Sequence, residues 1–156
     1  MSNPRKLLQL IKDNARPKGS PPAIRSAIAS ITALLEGERT DLGFIACDFS
    51  GMDPFAAKVY AATRAIPAGR TLTYGDIALQ IGDKQLAQAV GKALGRNPFP
   101  IVVPCHRVIG ADGRLIGFSA PGGVETKLRM LAIEGARIGE APGLFGDLPL
   151  VVKPRG

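Results

Sequence analysis

Apolar residues along this chain follow two kinds of spacing, and the alternation between them outlines the elements. Ile24, Ile28, Ile31 and Leu35 recur every three or four residues after a proline-rich break. That predicts a helix with Ser20 as N-cap, proline in its first turn and Gly37 as its stop. Residues 44–49 alternate instead and predict a strand. Asp53 and Pro54 suit an N-cap and a first helical residue, and Phe55, Val59, Ala62 and Ile66 supply the buried stripe of the helix they open. Thr73 through Asp76 has the form of a capping box, starting a short helix through Ile77, Ala78 and Ile81 that Gly82 ends. One turn later a second helix runs from about residue 84 to 95, with Leu86, Val90 and Ala93 or Leu94 inward. Two short helices joined this way read as a helix-turn-helix.

Further on, residues 101–103 and 108–109 are β-branched apolar runs and predict short buried strands, with Pro104 breaking the chain between them. A tight hairpin at 109–115 and a loop of small residues at 117–123 lead to a last helix over about 124–134. Its inward positions read as Val124, Leu128, Leu131 and Ala132, with Gly135 as stop. Residues 1–20 carry one or two helical turns at Leu7, Leu8 and Ile11, and the Gly/Pro-rich stretch 139–156 reads as a tail wrapped over the surface.

Composition narrows the class. At 156 residues with 46% apolar content, the chain suits one domain with a small appendage. No apolar run approaches a membrane span. Two widely spaced cysteines without export features point to a reducing cytoplasm, and two Cys with one His fall short of a structural zinc site. The net charge of +7 favours a polyanionic partner.

The candidate chemistry sits at Cys105 and His106, a thiol beside the only histidine of the chain. They stand where a strand gives way to a loop, a common place for a reactive group. Cys47 has no histidine or cation nearby in sequence and reads as structural. In the second helix of the pair, Ala87, Gly91 and Gly95 are four apart and leave one face almost bare. Mid-helix glycine costs about 1 kcal/mol relative to alanine, so something should approach that face closely. Either another helix packs there, or a nucleic acid groove does, with Lys84, Lys92 and Arg96 for its phosphates. Asn97 suits a left-handed cap at the end of that helix. Glu134 lies at the C-terminal end of the last helix, where the macrodipole disfavours a carboxylate and a partner such as His106 would explain it.

Pro104, Cys105, His106, Arg107 and Val108 in succession, with Asn97 and Pro98 upstream and Tyr74 opening the helix-turn-helix, closely resemble the O6-alkylguanine-DNA alkyltransferases. The resemblance covers about residues 20–136. It implies an α/β protein: a mostly helical C-terminal DNA-binding domain with a helix-turn-helix over 54–138, a shortened remnant of an N-terminal α/β domain over 1–53, and the tail. The implied function is DNA repair by a single irreversible transfer of a methyl or alkyl group to the protein's own cysteine, after minor-groove binding and base flipping. Cys105 matches the nucleophile, His106 the group that deprotonates it through a water, and Glu134 the carboxylate that orients the histidine. Asn97 matches the residue bracing the adjacent turn, and Tyr74 the donor to the departing guanine. Ala87, Gly91, Lys92, Arg96 and Arg107 fall among the DNA and substrate contacts, with Val108 in the pocket wall and Ser119 in the loop that meets O6. The resemblance implies no cofactor and no metal, double-stranded DNA containing O6-alkylguanine as partner, no membrane, a monomer and a cytoplasmic location.

The chain departs from the family pattern at three places. Gln88 stands where the family carries an arginine that enters the base stack, Phe118 replaces a common pocket tyrosine, and the loop from Ser119 to Gly123 is longer than usual. Two other readings of the thiol are a non-catalytic alkyltransferase-like protein that binds lesions and a cysteine hydrolase. The first normally lacks the cysteine; the second needs an oxyanion hole that no motif here marks.

Overall fold

A computed structural model of the chain describes residues 21–115 and 122–136. Helix α1 spans Pro22–Leu35, with proline in its first turn, as its sequence dictates. Pro21 occupies the N-cap position, and Ser20, the expected cap, lies outside the described residues. Only the C-terminal end of α1 is buried: Leu34 and Leu35 pack with Leu42, Ile101 and Met130, while Ile24 remains 50% exposed. Gly37 follows at φ +107, a conformation that suits a residue without Cβ.

The strand expected at 44–49 is absent; these residues run without a ladder partner. Alternation supplies a strand only where a second edge accepts its hydrogen bonds. Here Arg64 takes the Ile45 carbonyl at 2.7 Å, and the Asp41 and Asp48 carboxylates fold the flanks into turns by accepting from Gly43 and Ser50 at 2.8 Å.

Helix α2 (Pro54–Arg64) is capped by Asp53, whose Oδ2 accepts from Ala56 N at 3.0 Å. Helix α3 (Tyr74–Ile81) opens with the full capping box: Thr73 Oγ1 accepts from Asp76 N, and the Asp76 carboxylate accepts from Thr73 N. The helix expected from residue 84 is divided. A 3-10 turn, Lys84–Leu86, starts on an Asp83 side-chain cap, and α4 proper is Ala87–Gly95. That division leaves Leu86 exposed rather than inward. Val59, Tyr60, Ile77, Ala78, Val90 and Leu94 form the core that joins α2, α3 and α4, and Val103, Cys105 and Val108 close it.

Strand β1 (Leu72–Thr73) pairs in parallel with β2 (Val108–Ile109), in the register Leu72 to Val108 and Thr73 to Ile109. This is the one sheet among the described residues. Its short ladder sets the start of α3, and so Tyr74, beside the segment that follows Cys105. Residues 101–103 form a turn instead of the expected strand: Ile101 sits at φ 77, Val103 N donates to Phe99 O at 2.8 Å, and Pro100 and Val103 share a single bridge. The 109–115 hairpin reduces to a turn in which Gly110 N donates to Arg114 O at 2.7 Å.

Helix α5 (Gly123–Ile133) is rotated from the expected orientation. Thr126, Lys127, Met130 and Leu131 face inward, while Val124 and Ala132 are exposed. Apolarity placed Leu131 correctly but not Val124 and Ala132, because Lys127 has a buried carbonyl to satisfy, which outweighs the gain from covering Val124.

Candidate active site and DNA-binding face

Pro104 ends the 101–103 turn and starts a 3-10 turn, Cys105–Arg107, closed by Arg107 N donating to Pro104 O at 2.9 Å. Cys105 is 5% exposed at the edge of the core, and His106 is completely buried. Asn97 holds the approach to this turn. Its Nδ2 donates to Val103 O at 3.0 Å and its Oδ1 accepts from Phe99 N at 2.9 Å. Asn97 does so without the left-handed backbone expected of it, since Ile101 is the positive-φ non-glycine residue among those described. Its side chain, not its φ, makes it useful here.

The His106 Nε2 lies 2.9 Å from Glu134 Oε1. A carboxylate oxygen accepts, so Nε2 carries the hydrogen and the lone pair of the neutral ring falls on Nδ1. Burial pushes the His106 pKa below its ordinary value, against the upward pull of Glu134. The imidazole is therefore neutral near pH 7 and able to accept a proton. Burial alone would raise the Glu134 pKa, but hydrogen bonds from His106 and Arg107 and their charges overcome it, and the pKa is lowered to about 2.

Arg107, which the resemblance groups with the DNA and substrate contacts, has its donors engaged inside the protein. Its Nε and Nη2 donate to Glu134 Oε2 and Oε1 at 3.0 and 2.7 Å, and its Nη1 donates to Ile66 O at 2.6 Å. The guanidinium is a bidentate clamp that holds the carboxylate toward His106. Two adjacent basic residues thus share one acid.

Lys127 is a residue that the apolar pattern missed. It is fully buried, its Nζ donates to Val108 O at 2.6 Å, and it lies 5.9 Å from the centre of the Tyr74 ring. Burial pulls its pKa down to about 8, while charge on Cys105 pulls it up. Tyr74 is shifted upward by burial and then by Cys105, which keeps its phenol protonated. An ammonium and a phenol donor, in contact with each other, both feel charge on the sulfur. The available signal was position: Lys127 lies seven residues, two helical turns, before Glu134 and shares its face.

On α4, Gln88, Lys92 and Arg96 are exposed and four apart, forming one polar stripe. The small residues divide. Ala87 packs against the core, a Cβ on Gly91 would meet the Tyr74 ring at 3.8 Å, and a Cβ on Gly95 would meet nothing within 4 Å. At Gly91 that is ordinary van der Waals contact, so the Tyr74 ring does not require a glycine there, and Gly95 leaves the helix bare beside the cationic stripe. Val108 is buried with its carbonyl given to Lys127. Phe118 and Ser119 lie outside the described residues. Cys47 is half-buried, and burial raises its pKa against the nearby Arg64, as suits an inert thiol. Among the described residues, no three His, Cys, Asp or Glu side chains are grouped to hold a metal, and no helix is long and apolar enough to cross a membrane.

A family profile described as "6-O-methylguanine DNA methyltransferase, DNA binding domain" matches residues 54–136. A methylated-DNA–protein-cysteine methyltransferase of Methanothermobacter thermautotrophicus is 38% identical over 132 residues, covering 85% of this chain and 73% of that protein. A protein of the same name from Mycolicibacterium paratuberculosis is 45% identical over 115 residues, covering 74% and 67%. Among solved structures, Mycobacterium tuberculosis OGT in complex with DNA is similar with a TM-score of 0.60 and 42% identity, covering 69% of this chain and 63% of that one. An O6-methylguanine-DNA methyltransferase from Pyrococcus kodakaraensis is similar with a TM-score of 0.60 and 30% identity, covering 85% and 76%.

Proposed function

This chain belongs to the 6-O-methylguanine DNA methyltransferase family, and on that premise we propose that Cys105 is the acceptor in a single-turnover repair of O6-alkylguanine in DNA. The observation that carries the assignment is the buried line His106 Nε2 to Glu134 to Arg107, built on the two residues that follow the thiol in the same 3-10 turn.

The chemistry follows from the arrangement. His106 accepts the Cys105 proton, directly or through a water, and its developing charge is met by Glu134. Lys127 lowers the cost of the thiolate by its own charge. The sulfur attacks the carbon attached to guanine O6; a C–S bond forms as the C–O bond breaks, and the electron pair passes to the purine. Tyr74, kept protonated, donates to that purine as it gains charge. The products are guanine in DNA and an S-alkyl cysteine. No group in the site can reverse a thioether, so each molecule acts once.

A base stacked in a duplex cannot reach a sulfur this buried, and the base must be turned out of the helix first. The α3–α4 pair with its Gln88, Lys92 and Arg96 stripe is the DNA-binding element, and the bare helix at Gly95 permits close backbone approach. We place the catalytic domain at 54–138, after the segment 1–53 and before the stretch 139–156. The site of action is the cytoplasm, where reducing conditions preserve the thiol.

The test is intact-mass spectrometry after incubation with a duplex containing O6-methylguanine. One methyl should be added per molecule, mapping to Cys105, and none in Cys105→Ser. A gel shift with unchanged mass in the wild type would overturn the catalytic reading in favour of lesion binding alone.

A further inference from the structure

A cavity of about 470 Å³ lies between residues 39–43, the end of α2 and the 101–107 segment, and shares Arg107 and Glu134 with the relay. Cys105, Tyr74 and α4 do not line it, so it is not the place of the flipped base. Three guanidinium groups do: Arg39, Arg64 and Arg107.

Of the two carboxylates that also line it, Glu134 is taken up by the relay, and Asp41 folds its own turn while keeping its charge. Both Glu134 oxygens accept from His106 and Arg107, and Asp41 Oδ1 accepts from Gly43 N at 2.8 Å. Among the described residues Arg64 meets only neutral acceptors, the Ile45 carbonyl at 2.7 Å and the Gly43 carbonyl at 3.4 Å. Arg39 makes no hydrogen bond or ion pair among the described residues, yet its position is restricted: a Cβ on Gly135 would stand 2.7 Å from its Nη2. Among the described residues neither Arg39 nor Arg64 is ion-paired, and three guanidinium groups against the two carboxylates Asp41 and Glu134 leave one concavity with an excess of positive charge, beside an apolar wall that includes Leu34, Leu42 and Ile101. Guanidinium groups present forked donors that match planar or tetrahedral oxyanions. The volume falls within the range of small-molecule sites, which combine apolar walls with a few polar groups.

We propose that this cavity binds a small oxyanion, a phosphate or carboxylate carried on an apolar body, through Arg39 and Arg64. This site is separate from the alkyl acceptor and does not depend on the repair reaction.

The full chain is titrated with inorganic phosphate and, separately, with acetate, each against chloride at matched ionic strength. Thermal unfolding and the amide NMR signals of residues 39–43 are followed. A ligand that binds only the folded state raises the unfolding midpoint in a saturable way. The expected result is such a rise with movement of the 39–43 signals, weakened at least tenfold in Arg39→Ala and partly retained in Arg39→Lys. A response to phosphate alone, or to acetate alone, supports the site and assigns the oxyanion. The proposal is overturned if neither anion saturates. It is equally overturned if Arg39→Ala responds as the wild type does, because the anion then acts on the α4 stripe or through general salt exclusion.

Discussion

Lys127 Nζ lies 2.6 Å from the Val108 carbonyl oxygen, which ties the last helix to the strand that leaves the active-site turn. The same ammonium interacts with charge on Cys105. One buried cation therefore does two jobs, closing a backbone acceptor and favouring the thiolate. Lys127→Met keeps the length and removes both. It should leave the Val108 carbonyl unsatisfied, at about 1–3 kcal/mol of stability. It should also slow methyl transfer by roughly tenfold, one pKa unit of thiolate stabilisation being 1.36 kcal/mol. Urea unfolding and single-turnover kinetics separate the two effects.

The pH dependence of Lys127 has opposite signs for folding and chemistry. Its folded pKa is lowered from 10.5 to about 8, so above pH 8 the unfolded chain binds more protons than the folded one. Stability contributed by this group rises between pH 8 and 10.5, while the cation beside Cys105 is lost. Transfer rate per folded molecule should decline over the same range in which unfolding free energy increases. If Lys127→Met shows the same alkaline decline, Lys127 is not its source.

Glu134→Gln removes the acid shared by His106 and Arg107. Breaking a buried pair costs about 3–5 kcal/mol, and removing the orienting partner of a functional imidazole should slow transfer by about 10–100-fold, by analogy with metal-site histidines. In the wild type, the Glu134 pKa is lowered from 4.5 to about 2, so its contribution is complete above pH 4.5 and lost as pH falls toward 2. His106, also lowered, acts with the same sign below pH 6.5. Unfolding free energy measured at pH 7, 5 and 3 should fall at each step, and the step from 5 to 3 should shrink in Glu134→Gln.

Asn97→Ala deletes two hydrogen bonds that hold the turn before Cys105. We expect about 1–3 kcal/mol of destabilisation from the stranded Val103 carbonyl and Phe99 amide. Transfer should slow as well, because the turn positions the thiol. Asn97→Asp, which keeps only the acceptor to Phe99, should fall between the two. A wild-type rate in Asn97→Ala would remove the bracing role.

On the DNA face, Lys92→Ala and Arg96→Ala should each weaken duplex binding and reduce the slope of log affinity against log salt by about 0.9. Gln88→Arg should raise transfer on duplex DNA more than on the free base, since the added charge helps hold an opened stack. Equal gains on both substrates would contradict that role.

Much of this was legible in the chain alone, because the signals were local. Asp53 with Pro54, and Thr73 with Asp76, cap helices through contacts three residues apart, so their spelling is sufficient. The pairing of His106 with Glu134 could be suspected from a carboxylate at the wrong end of a helix dipole. Tertiary structure alone decided what depends on distant partners. Residues 44–49 alternate like a strand, but alternation does not provide an edge to bond with. Nothing local in the sequence pairs Arg107 with an acid, yet the last helix brings Glu134 within 3.0 Å of it. Lys127 is absent from the inward stripe that apolarity picks out, and the orientation of that helix points it at Val108. A sequence states which groups a segment carries, but the orientation of a helix is set by every group it must satisfy at once, and those partners lie elsewhere in the chain.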